Sequence, residues 1–158
     1  MTFSDDAPPA HAVDISTELP CAPDRLWHAV TTPAGVNAEL MPLIRMSFPE
    51  ADLGLADAPL DQPLFGSWIF LFGLIPFDRH VFVIHEVGPG HFVETSHSLL
   101  QKLWRHERRL TATEHGTVLR DTVTVVPRIG STSTLTNFVV RAIFRHRHRR
   151  LQALYPAA

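Results

Sequence analysis

Leu103-Trp-Arg-His-Glu-Arg-Arg-Leu-Thr-Ala-Thr-Glu-His-Gly-Thr-Val-Leu-Arg-Asp-Thr-Val-Thr-Val-Val126, with Ser131-Thr-Ser-Thr-Leu-Thr-Asn-Phe-Val-Val-Arg-Ala-Ile-Phe-Arg-His-Arg-His-Arg-Arg-Leu-Gln-Ala-Leu-Tyr155 beyond Pro127 and Gly130, sets the architecture of the whole chain. The first half is two runs, Leu103 to Thr113 and Thr117 to Val126, parted by His115-Gly116, and that spacing predicts an antiparallel hairpin. The second half carries apolar residues at 135, 138, 139, 142, 143 and 144, then 151, 154 and 155. This is the period of one long amphipathic helix, which the preceding serines and threonines can cap.

Working outward, Ser67 to Ile75, Arg79 to Val87 and Phe92 to Leu99 read as further strands, and Gly88-Pro-Gly90 as a tight turn between two of them. Ala12 to Leu19 alternates with period two and reads as the first strand. Pro20, Pro23 and Asp24 then introduce a short helix over Arg25 to Val30, and Thr32-Pro33 starts a second over Ala34 to Leu40, before Pro42. Leu43 to Phe48 reads as a strand. The stretch 49–63 mixes prolines and acids without a period and reads as a long loop, of the kind that forms lids or rims. The expected fold class is α+β: a curved antiparallel sheet of about seven strands wrapped round a long C-terminal helix, with two short helices after the first strand.

Trp68 to Phe77 is apolar on both faces, whereas a sheet covered on one side needs only alternate apolar positions. The expectation is that the two short helices or the long loop cover the outer face; a homodimer contact or a ligand portal is the alternative.

Composition bounds the rest. With 158 residues and 45% hydrophobic content, one domain over 12–155 behind a flexible tail of residues 1–11 is expected. Charged residues are 19% and the formal net charge is −2, which fits neither intrinsic disorder nor a nucleic-acid binder. Protonating all ten histidines would carry that charge from −2 to +8 just below neutral pH. The apolar run Ser67–Phe77 falls short of the roughly 20 residues of a spanning helix. The acidic, Pro-rich start has no signal-peptide pattern, so a cytoplasmic location is expected. A lone Cys21 excludes internal disulfides, CxxC redox chemistry and zinc ribbons.

A two-stranded ladder centred on His115-Gly116 places Ala112 opposite Leu119, Leu110 opposite Asp121, Arg108 opposite Val123 and His106 opposite Val125. One face then holds Trp104, His106, Arg108, Leu110, Ala112, Leu119, Asp121, Val123 and Val125, and this is the interior. Three ionisable groups on an apolar face must be paired or wetted. Arg108 and Asp121, diagonal in that ladder, are within reach of a charge-assisted bond, with His106 beside them. The set reads either as a polar patch that orients a ligand carbonyl, carboxylate or phenol, or as a structural Arg–Asp tie between strands. Trp104, His106, Arg108, Leu110, Asp121 and Val123, with Phe70 from the apolar strand and Phe138 from the helix, are the candidate ligand-binding residues.

No metal or cofactor is expected. The chain has no HExxH helix, and His146 and His148 diverge by about 200° on a helix. Ser96-His97 with Asp121 could be cast as a hydrolytic triad, but no nucleophile elbow surrounds the serine. No phosphate-cradling loop is visible: 49–66 offers only Gly54 before Gly66. The cations around the helix end oppose the macrodipole, and Arg141, Arg145 and Arg149 offer a contact with an anionic membrane surface.

The order of elements, together with Leu74-Ile-Pro-Phe-Asp-Arg-His80, Trp104-Arg-His-Glu-Arg108, Gly116-Thr-Val-Leu-Arg-Asp121 and Phe144-Arg-His-Arg-His-Arg-Arg-Leu151, resembles the START-like (SRPBCC) superfamily and its helix-grip fold. The resemblance runs from Ala12 to Tyr155 and is nearest to bacterial members grouped with polyketide cyclase/dehydrase and lipid-transport proteins. It implies a binding or carrier protein for a hydrophobic small molecule such as a lipid, quinone or polyketide-like aromatic. Two alternatives stand beside it. A cyclase or dehydratase would use His106 as acid/base, with Arg108 and Asp121 stabilising an enolate. A protein-interaction adaptor would use the outer apolar strand, with the cavity filled by side chains.

Overall fold

Seven strands form one antiparallel sheet in the order β1-β7-β6-β5-β4-β3-β2. In chain order the elements are β1 (Val13–Leu19), α1 (Pro23–Val30), α2 (Pro33–Leu40), β2 (Ile44–Met46), β3 (Pro63–Leu71), β4 (Ile75–Gly88), β5 (His91–Ser98), β6 (Gln101–Thr113), β7 (Gly116–Pro127), a 3₁₀ turn (Gly130–Thr132) and α3 (Ser133–Leu154). The computed structural model describes residues 12–50, 54, 55 and 57–158. The expected tail over 1–11 and part of the 49–63 loop lie outside the described residues.

Both short helices start as the sequence predicts. Pro23 sits in the first turn of α1, and Thr32 caps α2 by accepting the Gly35 N–H at 3.1 Å. Asn37 then ties α2 to β2 in both directions, donating to the Met46 carbonyl at 2.9 Å and accepting the Met46 N–H at 2.8 Å. α3 lies along the concave face of the sheet. Val140 and Phe144 pack with Val13, Val123 and Val125, while Leu151 packs with Leu19, Leu26 and Leu119.

The β6–β7 register departs from the expected one by two residues. The turn is Glu114-His115, not His115-Gly116, so Arg108 stands directly opposite Asp121, His106 opposite Val123 and Leu110 opposite Leu119. Because side chains alternate with period two, an even displacement keeps every residue on its predicted face. Gly116 is what moves the turn. Its φ of +148° is open to glycine, and a Cβ there would lie 2.1 Å from the Leu19 carbonyl oxygen.

The β3–β4 turn also differs. The expected strand over Ser67 to Ile75 is instead interrupted: the chain reverses at Phe72-Gly73-Leu74, with φ +52° at Phe72 and +73° at Gly73, and β4 starts at Ile75. The two-faced apolar run is therefore the two sides of a hairpin and its tip. Neither short helix nor the described part of the long loop covers it, and Trp68, Leu71, Phe72, Leu74, Ile75 and Phe77 remain exposed. The exposure of these side chains overturns the expectation that those elements cover the outer face.

Gly116→Ala should lower stability by about 1–3 kcal/mol through backbone strain and the collision with Leu19. Gly130→Ala meets open space and should change it little. Urea denaturation of both variants checks the pair; equal midpoints would contradict the assignment.

Candidate functional site

Arg108 is the largest fully buried side chain of the described residues, at 0% exposure. A guanidinium without water must have every charge answered by protein. Its Nε donates to Asp121 Oδ1 at 2.7 Å and its Nη2 to Asp121 Oδ2 at 2.8 Å. On its other side, Nη1 and Nη2 donate to Glu39 Oε1 and Oε2, each at 2.9 Å. Two bidentate pairs thus join β6 to β7 and to α2. Arg147 from α3 adds a contact from its Nε to Glu39 Oε2 at 3.0 Å.

Asp121 is the hub. Oδ1 also accepts from His106 Nε2 at 2.7 Å, and Oδ2 from His148 Nε2 at 2.9 Å. His148 Nδ1 reaches the Thr17 hydroxyl at 2.7 Å, which brings in β1. The His106 Nδ1 in turn faces Glu94 Oε1 at 3.1 Å. With a carboxylate on each ring nitrogen, His106 is held in its charged form: Asp121 and Glu94 outweigh burial and raise its pKa. Burial opposes ionisation of Asp121 and Glu39 as well. The Arg108 charge overcomes it, with help from Arg147 at Glu39, so both carboxyls titrate below their ordinary values, Asp121 far below. Three cations, Arg108, Arg147 and His106, then balance three carboxylates, Asp121, Glu39 and Glu94.

Next to this cluster, between the sheet and α3, lies a pocket of about 350 Å³. Its walls are mostly apolar: Ile69, Phe82 and Ile84 from the sheet, Val139 and Ile143 from α3, and Val36 from α2. His106 enters its floor by a ring face and edge, T-shaped to Phe92 and Phe144 at 5.2 Å each. Both His106 nitrogens are taken. Glu94 lines the pocket as well, and among the described residues its second oxygen has no protein partner. A second polar station is built from His80, whose Nδ1 reaches the Ser96 hydroxyl at 2.7 Å and whose Nε2 lies 3.2 Å from Asp78 Oδ2. The other Asp78 oxygen accepts the Arg79 and Leu99 N–H groups, so this carboxylate anchors the β5–β6 corner.

Of the eight candidate ligand-binding residues, Trp104 and His106 line the pocket. Arg108 and Asp121 sit behind it, wholly engaged with protein groups. Val123 packs beneath the middle of α3, with Val140 and Phe144, and Leu110 beneath its C-terminal end, with Leu151. Phe70 alternates with the inward Ile69 and so falls on the outer face, where its ring packs against the Arg45 guanidinium at 4.8 Å. Phe138 points to solvent at 68% exposure, one position away from the pocket-facing Val139. His97 is exposed, so Ser96, His97 and Asp121 do not assemble. Among the described residues no cluster suited to a metal ion occurs.

Four functional residues escape the sequence reading: Glu39, Glu94, Arg147 and His148. For the helix pair a signal exists. The buried stripe of α3 runs Val140, Phe144, Arg147, His148, Leu151, so the apolar pattern is interrupted on its inner face by the two residues that answer Glu39 and Asp121. Nothing in the local sequence marks Glu39 or Glu94 as inward-facing.

Arg108→Met removes the bidentate partner of both Asp121 and Glu39, leaving them buried with only His106, His148 and Arg147 to answer them, and should cost about 3–5 kcal/mol in a denaturation experiment; a loss below about 1 kcal/mol would contradict the network. The pH dependence has two limbs. Asp121 and Glu39, lowered on folding, stabilise above their unfolded values near 4, and that contribution goes as pH falls through the folded ones. His106, raised on folding, stabilises fully below about 6.5, and its contribution is lost as pH rises through its folded pKa. Melting temperature followed against pH should therefore decline on both sides, and His106→Gln should remove the alkaline limb.

Solved structures share this architecture. A protein from Chromobacterium violaceum is 15% identical over 92% of this chain and 98% of its own, with a TM-score of 0.67. A START superfamily protein from Mycobacterium smegmatis is 9% identical over 92% and 97%, with a TM-score of 0.68. DynU16, from the dynemicin biosynthetic locus, is 18% identical over 91% of this chain but only 48% of its own, with a TM-score of 0.56, so the chain spans about half of that protein. At these identities the likeness establishes the START-like fold. Among curated protein sequences none matches. Residues 17–155 match one family across almost the whole described fold, and the chain belongs to it: the family described as Domain of unknown function (DUF8410).

Proposed function

We propose that this protein binds a hydrophobic small molecule between the sheet and α3, and that Glu94 orients it by accepting a hydrogen bond from the ligand. The observation that carries the reading is the pocket of about 350 Å³ with apolar walls and one carboxylate oxygen left without a protein partner among the described residues. A space of that size suits a small ligand, and burial of its apolar surface supplies the affinity at about 25 cal/mol per Å². An acceptor inside an apolar pocket favours a ligand with a hydroxyl or phenol over one without, because the lone oxygen otherwise goes unanswered. The START-like neighbours support a ligand-binding reading at the level of fold only.

The same geometry weighs against His106 as the acid/base of a cyclase. Its two nitrogens are directed at Asp121 and Glu94, and Arg108 has no donor turned to the pocket. An adaptor with a side-chain-filled interior does not suit an open pocket.

Binding of Nile red, displaced by 2-naphthol or by naphthalene, tests the proposal. Both competitors should displace the dye, with 2-naphthol favoured, and Glu94→Gln should erase about tenfold of that preference while leaving naphthalene unaffected. No dye binding would overturn the ligand-binding reading. An unchanged preference in the variant would remove Glu94 from it.

A further inference from the structure

The large apolar side chains that remain exposed are concentrated at one end of the molecule. The strand pairings Leu71–Ile75 and Gln101–Pro127 close the β3–β4 hairpin and the β6–β7 ladder at that end, and α3 begins there. Phe72 and Leu74, 59% and 81% exposed, form the β3–β4 tip. β4 runs on past its last pair with β5, His80–Ser98, so this tip projects beyond the β5–β6 corner, where Leu99 and Leu100 are exposed. Ile129 and Phe138 complete the set from the link into α3 and its first turns. Leu100 and Val139 belong at once to this end and to the lining of the pocket.

Among the described residues, the exposed charge at this end has one sign. Segments 40–49, 62–77, 96–106 and 127–145 contain no Asp or Glu. They and the adjoining β4 carry exposed Arg45, Arg79, Lys102, Arg128 and Arg141, while the neighbouring Asp78 is buried. Apolar groups projecting from separate loop tips, ringed by cations, match the layering of a bilayer surface: acyl chains below, anionic headgroups at the level of the arginines. A second copy fits less well, because a two-fold contact would set these cations against their own images.

We infer that this end docks on an anionic lipid bilayer, with Phe72 and Leu74 entering the acyl region and Arg45, Arg79, Lys102 and Arg128 meeting the headgroups. The surface differs from the one the sequence suggested. Arg145 and Arg149 lie toward the opposite end, where Leu151 packs beneath α1, and only Arg141 stands beside the apolar set. The inference goes beyond small-molecule binding and does not require it.

Co-sedimentation of the full chain with vesicles of phosphatidylcholine mixed with phosphatidylglycerol, and of phosphatidylcholine alone, tests it. Binding should favour the anionic vesicles and weaken with salt. Phe72→Glu/Leu74→Glu and, separately, Ile129→Glu should each weaken it at least about tenfold, with circular dichroism and vesicle-free Nile red uptake unchanged. Absence of wild-type binding to anionic vesicles, or folded variants that bind as wild type does, would overturn the inference. So would a sedimentation-velocity dimer that the hairpin variant dissociates while vesicle binding persists unaltered.

Discussion

A single buried guanidinium organises this molecule. Once Arg108 is placed on the inner face of β6, water cannot reach it, and its charge must be met by carboxylates from whatever packs against that face. Asp121 is directly across the ladder, but one carboxylate answers only one side of the planar fork. Glu39 answers the other, and this requires α2 to fold back over the sheet. Asp121 and Glu39 then draw in His106, His148 and Arg147, so that five elements, β1, β6, β7, α2 and α3, converge on one charged cluster, which Glu94 of β5 completes. Exchanging such a cluster for hydrocarbon is often neutral or better for stability, so its value lies in fixing where α2 and α3 sit.

That placement shapes the pocket. The ionic cluster fills the inner face beneath the C-terminal half of α3 and leaves the space under its N-terminal half to apolar walls. Two regimes follow within one interior. Behind His106 the charged groups answer one another. In front of it, surfaces are mostly apolar, and Glu94 and the buried Gln101 Oε1 offer acceptors. Function therefore belongs to the loosely committed half, while the charged residues that first draw attention in the sequence hold the scaffold.

Much of the architecture was legible in the sequence, for physical reasons that particular residues make plain. Strand alternation in 103–126 fixed which side chains face inward even though the turn lies one residue earlier than expected, because faces depend only on parity. The helix period of 131–155 located α3, but Phe138 and Val139 differ by 100° on that helix, and a pattern alone did not say which one meets the sheet. Glu39 and Glu94 were invisible because their inward placement is a tertiary consequence of Arg108 and His106. The tip at Phe72-Gly73-Leu74 was missed because Ser67 to Ile75 is apolar almost without interruption and reads as one strand, and Pro76 inside β4 is tolerated because β4 has no β5 partner there. An apolar tip contradicts the expectation of polar loops, and such a violation of a local rule marks a place where something other than folding has shaped the sequence.

The central claim is that the charged cluster is scaffold and the apolar space before it is the binding site. A crystal structure of the protein with 2-naphthol tests this most directly. The account predicts the rings between the sheet and Ile143, the hydroxyl within about 3 Å of the Glu94 carboxylate, and Arg108 still paired with Asp121 and Glu39. A ligand bound elsewhere, or one that draws Arg108 away from its carboxylates, would contradict it.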